Sequence, residues 1–501
     1  MPSNCESSHD AKVDQYKRPS KMRDAIKFLI LTAILISSCM PQPATTIDDP
    51  TIVLMDCVLK SPGIENQVDA KCGSLRVSED PSNPESRQIK LNIAVVEAIK
   101  RTAELDPLFI LVGGPGQAAI ETYPALSATV FRIHEERDIV LVDQRGTGKS
   151  NPLRCLDPQD ETLEDEEVIS RLKECPGELD ADLRFYTTDI AMQDLDRVRS
   201  ALGYEAINLY GVSYGTRAAL VYLKMYPARV RSVILDAVVD PAFVLYQDAA
   251  QDGQRSLDLF FERCEADKAC SFTYPGLRSE FDAVLRKLED SSVDTTIPHP
   301  VTGKSLQFTV TQTTITNIIF NILYSADLVA MLPLAIHQAY AEDNYAPLIT
   351  QAYLLDAGIY DGMFYAVACT EDAPLVTGAE GVEGIFGSSV QNFVEVCETW
   401  PRREPPKIVH EPILSDVPVL MLSGEADPIT PPWHAEALTE SLSNSLHLIF
   451  SGMGHGNGGS ECAARIMDSF VETGSISGLD TTCVKSVEPP PFFVDFSGPQ
   501  P

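Results

Sequence analysis

Positively charged residues are scarce in this sequence. Its 501 residues include 39 Lys and Arg against 72 Asp and Glu, which gives a formal net charge of −33. A protein whose main partner is nucleic acid needs a basic face, because affinity depends on neutralising phosphates and releasing their counterions. The charge therefore excludes nucleic acid as the main partner.

Regular repeats and extreme compositions are also missing. Gly (29 residues) and Pro (35 residues) occur without a period, which excludes a fibrous repeat. The 44% hydrophobic and 22% charged residues exclude a wholly disordered chain and can fill a substantial core. A length of 501 residues suggests about three domains.

The N-terminal region lacks an apolar run of the roughly 20 residues that span a bilayer. Its run, residues 28–36, follows Arg23 and Lys27 and is followed by Ser37-Ser38-Cys39. This order is typical of a signal peptide, and residues 36–39 resemble a bacterial lipobox. We expect a lipoprotein signal peptide at 1–38 and a mature chain, lipid-anchored through Cys39, on the periplasmic or surface side of a bacterial cell envelope. Plain secretion is the alternative, and Met22 is an alternative start of translation.

No C-x-x-C pair occurs, which disfavours a zinc site, and we expect neither a metal nor a cofactor. Beyond Cys5 and Cys39, ten cysteines remain, an even number that indicates disulfides in an exported protein. The short separations favour pairing of sequence neighbours, although the sequence leaves other connectivities open. The favoured pairs are Cys57 with Cys72, Cys155 with Cys175, Cys264 with Cys270, Cys369 with Cys397, and Cys462 with Cys483.

Short apolar runs alternate with helix-period stretches in the first half of the chain. The runs at 108–112, 138–142, 206–210 and 230–235 are typical of strands buried on both faces, and helical patterns lie between some of them, at 189–202 and 216–226. This alternation predicts a parallel α/β sheet. Residues 51–59 and 89–98 predict an antiparallel hairpin region ahead of it.

The strand pattern stops after Asp236 and resumes at 418–422 and 446–450. Between these points we predict helices at 257–263, 281–288, 314–324 and 328–340. The expected architecture is an α/β sheet whose core spans 39–240 and 412–501, interrupted by a mainly helical cap at 241–411. Residues 489–493 predict an extended, partly docked tail.

The strongest chemical motif is Gly211-Val212-Ser213-Tyr214-Gly215, a G-x-S-x-G between a predicted strand and a predicted helix. That strand–turn–helix context exposes a serine hydroxyl above a sheet edge, and the glycines relieve the strained turn. We predict Ser213 as a nucleophile. The alternative is an ordinary strand-to-helix turn.

A serine nucleophile needs a base and an orienting acid, which follow it in the order serine, acid, histidine. Of the eight histidines, His455 lies in a glycine-rich loop just after the last predicted strand, whereas His447 falls inside that strand. We predict His455 as the base. Asp427, which follows the preceding strand, is the favoured acid, with Glu425 as the alternative.

Acyl transfer also needs hydrogen-bond donors for the oxyanion. We expect the backbone N–H groups of Tyr214 and of Gly114, in the loop after an early strand, to supply them. A nucleotide site is disfavoured. Gly146-Thr147-Gly148-Lys149-Ser150 resembles the end of a P-loop, but Asp143 stands where the first glycine of that motif belongs.

Taken in order, these motifs resemble the α/β-hydrolase peptidases related to proline iminopeptidase and the tripeptidyl aminopeptidases. The motifs that carry the resemblance are Gly113-Gly114-Pro115-Gly116, residues 143–150, residues 211–215, Asp427 and Gly454-His455-Gly456. The resemblance covers most of the mature chain and implies an α/β-hydrolase fold with a helical cap, a TAP-like C-terminal region and release of residues from peptide N-termini. One departure is Val112, where the proline-specific branch usually has a histidine, which moves the match toward the tripeptidyl side.

An exopeptidase of this kind must bind the free ammonium of its substrate, for which a carboxylate is the natural partner. Glu371 and Asp372 follow Cys369 within the expected cap, and in the relatives a similar cysteine-then-acid element lies near the substrate amine. We expect these two residues to bind the substrate. A solvated acidic pair is the alternative interpretation.

Three functions remain compatible with the sequence. The first is an exported serine aminopeptidase that cleaves short peptides through an acyl-enzyme on Ser213. The second is a carboxylesterase-like hydrolase, because the same three residues do not determine the acyl group. The third is a non-catalytic surface binding protein on a hydrolase scaffold.

Overall fold

The computed structural model describes residues 52–61, 65–156, 165–289, 291–299, 303–352, 358–377 and 384–499. The predicted signal peptide, Met22 and the predicted lipidation site Cys39 lie outside the described residues. None of the helices in these ranges is both long enough and apolar enough to cross a membrane.

A nine-stranded sheet, formed by the described residues, organises the core. Its strands are β1 (Met55–Lys60), β2 (Gln67–Ser78), β3 (Gln88–Val96), β4 (Leu108–Leu111), β5 (Ile139–Val142), β6 (Ile207–Val212), β7 (Val230–Asp236), β10 (Val419–Gly424) and β11 (Ser445–Phe450), in the order β1-β2-β3-β5-β4-β6-β7-β10-β11. Pairing is antiparallel from β1 to β5 and parallel from β5 to β11.

The apolar runs became the central strands because helices cover both faces of the sheet. Every residue of β4, β5 and β10 is buried. Along β10, Val419 and Met421 belong to one apolar cluster, and Leu420 and Leu422 to the other.

The helices of the core and its loops are α1 (Ala119–Leu126), α2 (Phe131–Glu136), α3 (Asp165–Glu174), α4 (Thr188–Leu202), α5 (Tyr214–Met225), α16 (Pro432–Thr439) and α17 (Glu461–Thr473). Residues of α4, α5 and α16 pack on one face, and those of α1, α2 and α17 on the other.

The opening region differs from the predicted hairpin, because β2 lies between the two predicted strands. Ala70 pairs with Cys57 of β1, and Leu75 pairs with Leu91 of β3. The apolar residues of β2 change face along the strand, from Val68, Ala70 and Cys72 to Leu75 and Val77, so no single alternation runs through it and the sequence pattern did not predict a strand there.

The segment between β7 and β10 contains most of the helices. They are α6 (Ala249–Ala266), α7 (Lys268–Thr273), α8 (Leu277–Glu289), α9 (Gln312–Ile322), α10 (Ala326–Val329), α11 (Leu332–Glu342), α12 (Ala346–Ala352), α13 (Asp361–Glu371), α14 (Ser388–Cys397) and α15 (Lys407–His410). The helices from α6 to α12 share an apolar cluster of their own, which includes Phe261, Phe281 and Ile319. A hairpin of β8 (Val293–Pro298) and β9 (Ser305–Val310), which the sequence analysis did not predict, interrupts this helical segment.

Two further features tie the chain together. The extended tail, with β12 (Phe493–Asp495) and β13 (Gly498–Pro499), returns to the helical segment, where Phe492 packs against Phe260 and the Phe493 N–H donates to the Ala330 carbonyl at 2.9 Å. The structure also forms all five favoured disulfides. Two of them lie close to the site described below: Cys155–Cys175 flanks α3, and Cys369–Cys397 joins α13 to α14.

Candidate active site

Ser213 occupies a sharp turn between β6 and α5. Its backbone has φ 56° and ψ −125°, a left-handed conformation that is unfavourable for a residue with a side chain. A methyl group on Gly211 would collide with the Gly215 backbone, and one on Gly215 would collide with the Leu111 carbonyl. The G-x-S-x-G spacing is therefore a steric requirement of this turn, as expected for an exposed nucleophile elbow.

Thr216 holds the elbow in place, a role that the sequence analysis missed. Its N–H and its hydroxyl both donate to the Ser213 carbonyl, at 2.8 and 2.6 Å. The same hydroxyl accepts the Val239 N–H at 2.8 Å, and the Ser213 N–H donates to the Asp236 carbonyl at 2.9 Å. The turn is thus bonded to the end of β7 and to the segment that follows it.

Asp427 and His455 meet beyond the ends of β10 and β11. His455 Nδ1 lies 2.8 Å from Asp427 Oδ2. The other contacts of this fully buried carboxylate come from the Ile429 and Thr430 N–H groups, each at 2.9 Å, and from the Thr430 hydroxyl at 2.8 Å. These donors hold the carboxylate in one orientation against the ring.

His455 and Asp427 each stabilise the charged form of the other. Burial alone would lower the pKa of His455, but the Asp427 carboxylate outweighs it and raises that pKa above its usual value. Burial likewise works against the charged form of Asp427, yet its bonds to His455 and to backbone N–H groups lower its pKa. The pair therefore favours a negative Asp427 and stabilises a proton on His455.

The alternative acid, Glu425, lies elsewhere. Its Oε2 accepts the Ser451 hydroxyl at 2.6 Å and the Gly452 N–H at 2.9 Å. The structure thus brings Asp427, not Glu425, to the ring of His455. His447 stays inside β11, where its Nε2 lies 3.0 Å from Ser423 Oγ.

Two residues that the sequence analysis missed place the His455 loop. The His455 N–H donates to the Tyr324 carbonyl at 2.8 Å, and the two rings lie 4.8 Å apart. Asp236, at the end of β7, accepts the N–H groups of Asn457 and Gly458 at 2.8 and 2.7 Å. A carboxylate at the end of a buried strand was the only sequence signal for Asp236, and Tyr324 offered none.

A cavity of about 450 Å³ opens beside Ser213. Gly114, Pro115 and Tyr214 line it next to the serine, which places both expected oxyanion donors at its wall. Gly114 has φ 105°, a conformation available mainly to glycine. The remaining walls are largely apolar, with aliphatic side chains and the aromatic rings of Phe243, Tyr246, Phe320, Tyr324, Phe364, Tyr365, Phe386 and Phe393.

The carboxylates of Glu371 and Asp372 are both buried but differ in position. Asp372 lines the cavity and forms a double ion pair with Arg217, at 2.8 and 2.9 Å. Glu371 is fully buried and accepts the N–H and the hydroxyl of Thr188, at 2.7 and 2.8 Å. Burial raises the pKa of Glu371 to about 7, although Arg217 partly opposes this shift. Through Thr188, whose hydroxyl lies 2.8 Å from that of Tyr214, Glu371 also contacts the helix that follows the serine.

The P-loop-like segment is a turn that is bonded within itself and to α1. The buried Asp143 carboxylate accepts the N–H groups of Ile120 and Lys149, at 3.0 and 3.2 Å, and a methyl group on Gly148 would collide with it. Arg145 is fully buried and donates to Asp194 at 2.8 Å. Within the described ranges, no group of three or more His, Cys, Asp and Glu side chains is arranged to hold a metal ion.

Two family models match the chain. Residues 106–274 match the α/β-hydrolase fold, and residues 383–483 match the TAP-like protein family. Together they span more than half of the sequence and include Ser213, Asp427 and His455. The chain belongs to the α/β-hydrolase family and carries a TAP-like C-terminal region.

Several curated proteins are similar to part of this α/β-hydrolase. The putative hydrolase YuaR of Escherichia coli is 27% identical over 40% of this chain and 43% of its own. Serine protease Hip1 of Mycobacterium tuberculosis is 30% identical over 37% of this chain and 39% of its own. Tripeptidyl aminopeptidase of Streptomyces lividans is 31% identical over 34% of this chain and 36% of its own. These alignments therefore span about two fifths of the relatives' lengths.

Solved structures are more distant in sequence. A serine hydrolase from Cycloclasticus zankles has 11% identity and a TM-score of 0.38, covering 80% of this chain and 98% of its own. VinJ has 14% identity and a TM-score of 0.39 over the same shares.

Proposed function

We propose that this α/β-hydrolase is a serine aminopeptidase that cleaves short peptides through an acyl-enzyme on Ser213. The observation that carries the proposal is the pairing of His455 with Asp427 beyond the strands that follow the Ser213 elbow. Peptidases among the partial relatives support the same reaction class.

The residues have distinct roles in this reaction. The Ser213 hydroxyl attacks the scissile carbonyl while His455 takes its proton, and Asp427 stabilises the imidazolium that forms. The N–H groups of Gly114 and Tyr214 stabilise the developing oxyanion. His455 then gives the proton to the leaving amine. A water molecule, deprotonated by the same ring, attacks the acyl carbon. The ring returns this proton to the Ser213 oxygen as the ester bond breaks, which releases the acyl product and restores Ser213.

In this proposal the substrate ammonium binds at the carboxylate pair Glu371 and Asp372. Asp372 lines the cavity, so it supplies the contact, and Glu371 contributes charge from its buried position. Arg217 carries one positive charge against these two carboxylates. The group therefore has a net negative charge once Glu371 ionises, near its pKa of about 7. Recognition of a free amine at this pair makes the enzyme an exopeptidase.

The cavity wall supports a peptide rather than a simple ester as substrate. Three amide side chains, Asn317 and Asn321 of α9 and Asn392 of α14, line it among the aromatic rings. An amide offers both a donor and an acceptor, which matches the N–H and C=O groups of a peptide backbone. The apolar walls favour apolar side chains next to that backbone.

A substrate panel tests this assignment against the carboxylesterase alternative. Peptidyl p-nitroanilides with a free N-terminus, their N-acetylated forms and p-nitrophenyl butyrate are compared. A charge-assisted hydrogen bond contributes about 1.5–3 kcal/mol, so acetylation is expected to lower kcat/KM by about 10- to 150-fold. Asp372→Asn and Glu371→Gln should lower it for the free amines alone. A preference for the ester, with no effect of acetylation, would establish the esterase instead.

We also propose that the protein is exported and anchored through a lipid on Cys39. The five disulfides support export, because such bonds persist in oxidising compartments. Labelled fatty acid fed to expressing cells should appear in the parent protein and not in Cys39→Ala. Equal labelling of both would exclude that anchor.

A further inference from the structure

A buried imidazole between two carboxylates lies near the site but takes no part in the proposed chemistry. His434 Nδ1 is 3.2 Å from Asp240 Oδ2, and His434 Nε2 is 4.0 Å from Asp252 Oδ2. The three residues are 3–6% exposed. Groups of this kind are expensive to bury, so a buried cluster that is only partly bonded calls for an explanation.

The three residues come from three different elements. Asp240 follows β7 and accepts the N–H groups of Ala242 and Phe243, at 2.6 and 2.8 Å, which fixes it to the core. His434 belongs to α16, the helix that begins just after the Asp427 loop. Asp252 belongs to α6, the first helix of the segment that covers the site. The cluster therefore spans the boundary between cap and core.

The side toward α6 is incompletely bonded. Asp252 Oδ2 and His434 Nε2 are both buried, and neither has a hydrogen-bond partner. They face each other at 4.0 Å, about 1 Å beyond hydrogen-bond length. A small movement of α6 toward α16 would satisfy both atoms at once.

The same face of α6 also contacts the loop that carries Asp427. Ser256, one helical turn after Asp252, donates its hydroxyl to the Ala426 carbonyl at 2.6 Å. Movement of α6 along this face therefore bears directly on the residue next to Asp427.

We propose that His434 is a positioning residue whose imidazolium, held by Asp240, draws Asp252 and α6 onto the Asp427 loop when the cap closes over a substrate. This inference rests on the proposed function, because it assigns α6 to the reaction at Ser213. The pair His434–Asp252 is called the latch below.

The surroundings favour a charged ring in the latch. Burial alone would lower the pKa of His434, but Asp240 and Asp252 outweigh it and raise that pKa to about 9. Asp248 and Asp427 add negative charge around Asp252. The other neighbours of the α16 start are the Phe243 ring, 5.3 Å from the His434 ring, and Arg255, which stacks over Trp433 at 4.9 Å. The latch is therefore charged at neutral pH and is lost as the pH rises through about 9.

The test measures kcat/KM for p-nitrophenyl butyrate between pH 7 and pH 10.5, corrected for spontaneous hydrolysis. This substrate has no amine whose titration would overlap that of His434. The parent should lose activity above about pH 9. His434→Gln should be about tenfold less active at pH 7.5, the loss equivalent to one hydrogen bond, and should lack the alkaline limb.

Two further variants separate positioning from simple destabilisation. His434→Lys should recover activity and move the alkaline limb to higher pH, because a lysine titrates near 10.4. Asp252→Asn should resemble His434→Gln. His337→Gln removes another histidine that bonds a carboxylate, Glu280 at 2.9 Å, and should keep the parent profile. An unchanged limb in His434→Gln, or a parent profile that stays flat to pH 10, would overturn the proposal.

A second measurement does not depend on turnover. A group whose pKa is raised by folding stabilises the folded state fully below its unfolded value of about 6.5, and this contribution is lost as the pH rises through the folded value. The Tm difference between the parent and His434→Gln should therefore shrink between pH 6.5 and pH 9.5. A constant difference would refute a charged latch, whereas the absence of turnover at pH 7.5 of both the ester and the free-amine peptidyl p-nitroanilides would refute the proposed function.

Discussion

At the scale of single residues, the proposed chemistry depends on the proton of His455. The base must be neutral to accept the proton of Ser213, and Asp427 raises the pKa of His455 above its usual value of 6.5. We therefore predict that kcat/KM falls as the pH drops through a value above 6.5, with the slope of a single proton. A pH profile with an N-acetylated peptide measures this limb.

Asp427→Asn provides the control for that profile. Without the carboxylate, burial alone should lower the pKa of His455, and the acid limb should move to lower pH while the rate falls. An acid limb at the same pH in the parent and in Asp427→Asn would show that another group controls the profile.

The sequence predicted those residues that lie in short motifs at the ends of strands. Ser213, Asp427 and His455 could be named because a known chain order links them. Tyr324 could not, because its backbone hydrogen bond and its ring contact with His455 join distant parts of the chain. The sequence predicted Glu371 and Asp372 together, but of these two neighbours at the end of α13 Asp372 alone lines the cavity. Which of the two side chains reaches the cavity depends on the fold.

At the scale of elements, the elbow between β6 and α5 depends on glycine at position 215. A methyl group there would collide with the Leu111 carbonyl of the neighbouring strand, and backbone atoms cannot move aside cheaply. We predict that Gly215→Ala lowers the free energy of unfolding by roughly 2–4 kcal/mol and abolishes activity. Urea denaturation measures the first effect.

Gly177→Ala is the matched control, because a methyl group at Gly177 meets nothing within 4 Å. Its effect on stability should stay within about 0.5 kcal/mol. Equal stability of the two variants would mean that the turn can relax without loss.

Predictions of elements from the sequence depended on burial. β4 to β7 and β10 were found because strands covered on both faces read as continuous apolar runs, whereas the edge strand β11 was found from the apolar residues Leu446, Leu448, Ile449 and Phe450. β2, β8 and β9 were missed because most of their residues are not fully buried, which permits polar residues and weakens the apolar pattern.

At the scale of the whole molecule, disulfides join elements both beside the central sheet and in the helical segment between β7 and β10. Cys462–Cys483 closes a loop of 21 residues, and Cys264–Cys270 closes one of 6. In the chain-entropy model these loops contribute roughly 3 and 2 kcal/mol. We therefore predict that replacing both cysteines of the longer loop by alanine lowers the free energy of unfolding more than replacing those of the shorter one.

Non-reducing mass mapping accompanies that comparison. It should recover the five neighbouring pairs with no free thiol among these ten cysteines. Free thiols at most of these positions would contradict both the pairing and the proposed export. The mapping is the necessary control, because stability differences have this meaning only if both bonds form in the parent.

The assignment of Ser213 as the nucleophile is tested most directly by covalent labelling. The protein is treated with a fluorophosphonate, its intact mass is measured, and the modified peptide is sequenced. We predict one added group per molecule, on Ser213, no labelling of Ser213→Ala, and nearly complete loss of peptidase activity in that variant with an unchanged Tm. Labelling at another residue, or turnover by Ser213→Ala within tenfold of the parent, would contradict the account.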